Sequence, residues 1–122
     1  MSCLVADLLV LNINKESDFN KNISVSPEDT VVLTGFEKEA FYSFIKEKIC
    51  KILSYLSFSN ILILDMRNVE TVSFDESARI FGALIRKKIP IKVVASEKLH
   101  RLIKRFGVEV FTPEEFKDFN LY

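Results

Sequence analysis

The sequence predicts an α/β fold in one domain, a mixed central β-sheet covered by three to four helices. Three observations carry this reading. Short β-rich apolar runs alternate along the chain with amphipathic segments of helical period. One of these runs, Ile61-Leu62-Ile63-Leu64, is continuously apolar and stops at Asp65, the pattern of a central strand covered on both faces. Finally, 122 residues with 48% hydrophobic and 28% charged side chains suit a single core, with no repeat or linker to divide it, so residues 1–122 are read as one domain.

The elements follow in order. Leu8 to Ile13 is a first strand. The polar stretch Asn14 to Asn22 turns the chain, and Ile23 to Val25 is read as a short strand, so that a hairpin or meander opens the fold. Ser26-Pro27-Glu28-Asp29 reads as a turn, followed by a strand from Thr30 to Leu33 that Gly35 closes. From Glu37 to about Leu56, Phe41, Phe44, Ile45, Ile49, Ile52, Leu53 and Leu56 recur at three- and four-residue steps, the longest amphipathic helix.

After the Ile61 strand, Ser73 and Glu76 form a capping-box signature for a helix whose apolar stripe is Phe74, Ala78, Phe81 and Ile85. Arg86, Lys87 and Lys88 favour its carboxyl end, and Pro90 stops it. Ile91 to Ala95 is the next strand. Ser96 then caps a helix with Leu99, Leu102, Ile103 and Phe106 inward, ended by Gly107. Val108 to Phe111 extends briefly. Thr112-Pro113-Glu114-Glu115 opens a last helix, with Phe116 and Phe119 as its anchors.

Composition excludes several function classes. Lys and Arg total 17 and Asp and Glu total 17, a neutral balance that argues against nucleic acid or an anionic membrane as the main partner. Three glycines leave no glycine-rich phosphate loop. A single histidine, His100, makes a Ser-His-Asp relay or a His/Cys zinc centre hard to assemble, so neither a cofactor, a metal site nor a catalytic residue is expected. Cys3 and Cys50 are read as ordinary thiols of a reducing cytoplasm. The apolar stretch Leu4 to Leu11 lacks a basic leader and contains Asp7, which fits neither a signal peptide nor a membrane span.

The segment Asp65-Met66-Arg67-Asn68-Val69-Glu70-Thr71-Val72-Ser73-Phe74-Asp75-Glu76-Ser77 resembles the STAS family, the anti-sigma-factor antagonists. In that family a strand ends in Asp, a Val stands four residues later, and a loop leads to an Asp-Ser-Ser-Gly-type segment that opens a helix. The strands ending at Gly35 and Ala95 look like the family's flanking strands, and the likeness covers residues 30–111. It implies a non-enzymatic regulatory module that binds a kinase-like anti-sigma protein and is released when a Ser at the helix start is phosphorylated.

An ungapped count from Asp65 places Ser73 at the family's Asp, Phe74 at the phosphorylated Ser and Asp75 at the next Ser, so this chain resembles a branch with Ser-Phe in place of Asp-Ser-Ser-Gly. Ser73 is then the candidate phosphosite by location, and equally a helix cap; Ser77, one turn on, is the second candidate. The implied partner-binding residues are Asp65, Arg67, Asn68, Phe74, Asp75 and Glu76. Asp65 is also where receiver domains carry their phosphorylated Asp, although the acid pair expected after the first strand is absent, which favours a loop-shaping role.

From Arg86 to Arg105 eight cations face the single acid Glu97. This stretch supports an alternative reading as a small nucleic-acid-associated module, although without interleaved aromatics an acidic protein surface suits it better. A homodimer, with a contact in the N-terminal thirty residues, is compatible with either reading.

Overall fold

A computed structural model describes residues 8–13, 15, 17, 23–36, 48 and 51–115. Five strands, β1 (Leu8–Asn12), β2 (Thr30–Thr34), β3 (Ile61–Asp65), β4 (Ile91–Val94) and β5 (Glu109–Phe111), form one sheet in the order β1-β2-β3-β4-β5. Every neighbouring pair is parallel. The mixed sheet expected from the sequence is therefore corrected to a parallel one. No opening hairpin forms among the described residues, and Ile23 to Val25 is not a strand. The connection through residues 13–29 is long enough to return the chain to the start of the sheet, which a parallel neighbour demands. Ile23 and Val25 instead pack against the core.

Two helices have defined bounds, α1 (Phe74–Arg86) and α2 (Glu97–Lys104), and residues 51–55 are helical as well. Those last residues, with Ile52 and Leu56 buried, belong to the predicted amphipathic helix; residues 37–47, with Phe41, Phe44 and Ile45, and Ile49 lie outside the described residues. So do the two cysteines and the helix anchors Phe116 and Phe119.

Strand order and handedness decide where the helices go. Each parallel crossover steps one strand in the same direction, and right-handed crossovers of that kind put every connecting helix on the same face of the sheet. The core agrees. Leu11, Val31, Leu33, Leu62, Leu64 and Val93 share one cluster with Ile52, Ile80, Phe81, Leu84, Leu99 and Ile103. Residues of opposite parity, Val32, Ile63 and Val94, form a separate cluster with Ile61 and Phe111 on the second face. This is why the Ile61 to Leu64 run shows no alternation: β3 is the middle strand, and both of its faces are covered.

The predicted punctuation is largely in place. The Ser73 hydroxyl accepts the Glu76 N–H at 3.1 Å and caps α1. Gly35 (φ 94°) and Gly107 (φ 75°) take left-handed conformations at the ends of β2 and α2. Ser96 stands at the N-cap of α2, but its side chain makes no capping bond. The helix α1 ends at Arg86, two residues before the end of its basic run, and Lys88 adopts φ 61° just beyond it. Thr112 and Glu115 close a reciprocal capping box: the Thr112 N–H donates to Glu115 Oε1 at 3.0 Å, and the Glu115 N–H to Thr112 Oγ1 at 3.4 Å.

Candidate functional site

In a parallel sheet all strand carboxyl ends lie at one edge, and the loop from β3 to α1 rises from the middle of that edge. The ladder continues one residue past β3, where the Met66 N–H donates to the Val94 carbonyl at 2.8 Å. A turn follows, closed by the Val69 N–H on the Met66 carbonyl at 3.0 Å. Met66 and Val69 are buried, whereas Arg67, Asn68 and Glu70 are exposed. Two apolar anchors thus hold the loop and turn its polar residues outward.

Asp65 governs this geometry from beneath. It is only 3% exposed, and its Oδ2 accepts the Thr34 hydroxyl at 2.9 Å while facing Arg67 Nη2 at 3.4 Å. The Arg67 N–H also points at Oδ1, at a long 3.5 Å. A buried carboxylate needs such partners, because an unpaired charge taken out of water is costly. The arrangement matches the loop-shaping role: Asp65 lies below the surface that a partner would touch and positions Arg67, which stands above it.

At the far end of the loop Ser73, Phe74 and Asp75 are exposed and Glu76 is half-buried. Phe74 keeps 49% of its surface accessible although it opens the apolar stripe of α1. Its ring rests on Phe106 at a centroid distance of 5.2 Å, and Phe106 in turn meets the buried Phe81 at 5.5 Å. One side of Phe74 is therefore fixed by aromatic packing while the other faces solvent. Ser77 points the opposite way. It is fully buried, and its hydroxyl has no hydrogen-bond partner.

The fold thus brings Arg67, Asn68, Ser73, Phe74, Asp75 and Glu76 to one stretch of loop and helix start, with Asp65 below and Ser77 inside. Two contributors escaped sequence reasoning. Thr34 is identified by register: Leu33 pairs with Leu64, so the next residues in a parallel ladder meet at the strand ends. Phe106, read only as a core residue, props Phe74, and nothing in the sequence distinguishes that use.

The basic stretch does not form one stripe. Lys92 pairs in register with Ile63 and Glu109 on the face opposite the helices. Arg86 and Lys104 lie in the last turns of α1 and α2, and Lys98 lies in the first turn of α2. His100 is tied down, its Nε2 bonded to the Ala95 carbonyl at 2.9 Å. Among the described residues no cluster of three or more His, Cys, Asp or Glu side chains could hold a metal ion, and no helix is long and apolar enough to cross a membrane. No family model, no curated protein and no solved structure matches the chain.

Proposed function

We propose that this protein is a STAS-like regulatory binding module without enzymatic activity, an anti-sigma-factor antagonist that exchanges partners with a kinase-like anti-sigma protein in the cytoplasm. One observation carries the reading: an Asp at the end of the central strand holds a loop that delivers an exposed serine and a half-exposed aromatic to the first turn of the next helix. The partner surface is Arg67, Asn68, Phe74, Asp75 and Glu76. Ser73 is the phosphoacceptor of the proposal, since its hydroxyl is exposed whereas that of Ser77 is enclosed.

A phosphate on Ser73 adds about −1.5 to −2 charges at neutral pH. It would stand at a helix N-terminus beside Asp75 and Glu76, where helix N–H groups attract it and the two carboxylates oppose it. The surface offered to the partner would turn strongly negative and would repel any carboxylates that the partner sets against it, which releases that partner. The experiment mixes the purified chain with anti-sigma kinases from the same cell, with and without ATP, and follows complex formation and intact mass. Complex formation weakened at least tenfold by Arg67→Ala and Phe74→Ala, with an 80 Da gain that Ser73→Ala abolishes, is the expected result. Absence of any complex, or variants that bind like the parent, defeats the proposal.

A further inference from the structure

The opposite edge of the sheet, where the strands begin, carries a second surface that shares no residue with the one above. Three turns stand side by side there. Residues 26–29 lead into β2, residues 57–60 into β3 and residues 87–90 into β4; the Leu62 N–H donates to the Pro90 carbonyl at 2.9 Å, which sets the last two next to each other. The middle turn displays Phe58, 75% exposed, the most accessible large apolar residue described.

That turn is fixed from below by Asn60, itself only 2% exposed. Asn60 Oδ1 accepts the Ser57 N–H at 3.0 Å and the Ser57 hydroxyl at 3.2 Å. Its Nδ2 donates to the Ser26 and Asp29 carbonyls at 2.9 and 3.1 Å, tying in the neighbouring turn. A ring held out on a turn whose backbone is already ordered has little conformational freedom left to lose on binding.

Charge is distributed unevenly around the ring. On the β4 side Arg86, Lys87 and Lys88 are exposed and make no ion pair with a described residue, and Ile85 beside them is 45% exposed. Of the described acids at the strand starts, Glu28 and Asp29 lie on the β2 side, where Asp29 is engaged by the Ser26 N–H at 2.7 Å, and Glu109 opens β5 in register with Lys92, on the face opposite the helices. Lys88 holds a left-handed backbone, φ 61°, that glycine adopts without strain. A lysine there keeps a third cation on the edge.

We infer that this edge is a docking surface for an acidic protein segment whose apolar residues receive the Phe58 ring while its carboxylates meet Arg86, Lys87 and Lys88. The basic triad selects an acidic partner, and the neutral balance of the whole chain, 17 Lys and Arg against 17 Asp and Glu, favours a protein segment over a nucleic acid or an anionic bilayer, the other ligands that a ring beside cations could engage.

The test titrates the isotope-labelled full chain with a synthetic twelve-residue peptide of alternating glutamate and leucine and follows backbone amide shifts. Shifts confined to residues 57–60 and 86–88 are expected, with affinity reduced about tenfold or more in Phe58→Ser and in the double variant Lys87→Glu, Lys88→Glu. Both substitutions are at exposed positions, and unchanged circular dichroism verifies the fold. A charge-reversed lysine-leucine peptide should leave these amides unmoved. Absence of shifts at millimolar peptide, shifts confined to residues 67–76, or indifference to Phe58→Ser overturns the inference. So does tighter binding of a single-stranded DNA twelve-mer or of phosphatidylserine vesicles at the same amides.

Discussion

Two buried polar side chains organise the two edges, each by satisfying its own hydrogen-bonding needs with one partner segment close in sequence and another about thirty residues away. Asn60 uses its amide on four partners in the 57–60 and 26–29 turns. Asn60→Ala leaves two carbonyls and an N–H to find water in a nearly sealed site, and is expected to lower unfolding free energy by about 2 kcal/mol or more, read from urea melts. Asp65→Ala takes the acceptor from the Thr34 hydroxyl and removes the carboxylate that faces Arg67, with an expected loss of about 1–3 kcal/mol; its signature beyond stability is broadened amide signals across residues 66–70. Glu115 offers a pH test. Its carboxyl is held below the usual carboxylate range by the Thr112 N–H and, next, by the Thr112 hydroxyl, with smaller help from His100 and Lys104. A depressed folded-state value means that the capping box is in place above the ordinary glutamate range and is lost as pH falls through the lowered value. The Thr112 amide shift should therefore titrate at a lower pH than that of a glutamate in an unstructured peptide, and a midpoint at or above the peptide's would show the box to be unformed.

At the scale of the element, the glycines separate two physical roles. Gly82 sits within α1, and a Cβ built on it meets nothing within 4 Å. Gly82→Ala should stabilise the protein by about 0.5–1 kcal/mol, because alanine reduces the freedom of the unfolded chain without a clash. At Gly107 the space is equally open, but φ is 75°. There the same substitution should destabilise by about 1 kcal/mol, since an L side chain pays for the left-handed backbone. Thermal melts of the two variants, moving in opposite directions, check the assignment. These local contacts were legible for the same kind of reason: Ser73 to Glu76 and Thr112 to Glu115 each lie within one turn, and both form, the first at the start of α1. Ser96 has the right residue and position without the bond, as its unpartnered hydroxyl shows.

For the whole molecule, the winding of the chain matters most. With helices on one face, β1 has alternating fates: Leu11 is buried in the main core, whereas Val10 is 48% exposed on the other side. Val10→Lys should cost less than about 1 kcal/mol, and Leu11→Lys should cost several, enough to unfold a marginal domain. Denaturant melts in which Val10→Lys costs more than Leu11→Lys would place the strand in a different register.

Sequence alone determined what local chemistry controls. The α/β class, the strand from Ile61, the Ser73 cap, the turn at Ser26 to Asp29 and the glycine stops all follow from contacts within a few residues, and so does the presence of a loop between Asp65 and Phe74. Tertiary structure decided what depends on which strands become neighbours. The hairpin expected near the N-terminus became a long parallel crossover, because a polar connector permits either outcome and only the burial of Ile23 and Val25 selects one. Thr34 reached Asp65, and Phe106 reached Phe74, across long stretches of chain. The sorting of Phe74 and Ser77, one outward and one inward on the same turn of helix, goes with the Phe106 ring beside the first and the closed surroundings of the second, which no periodicity within a single segment contains.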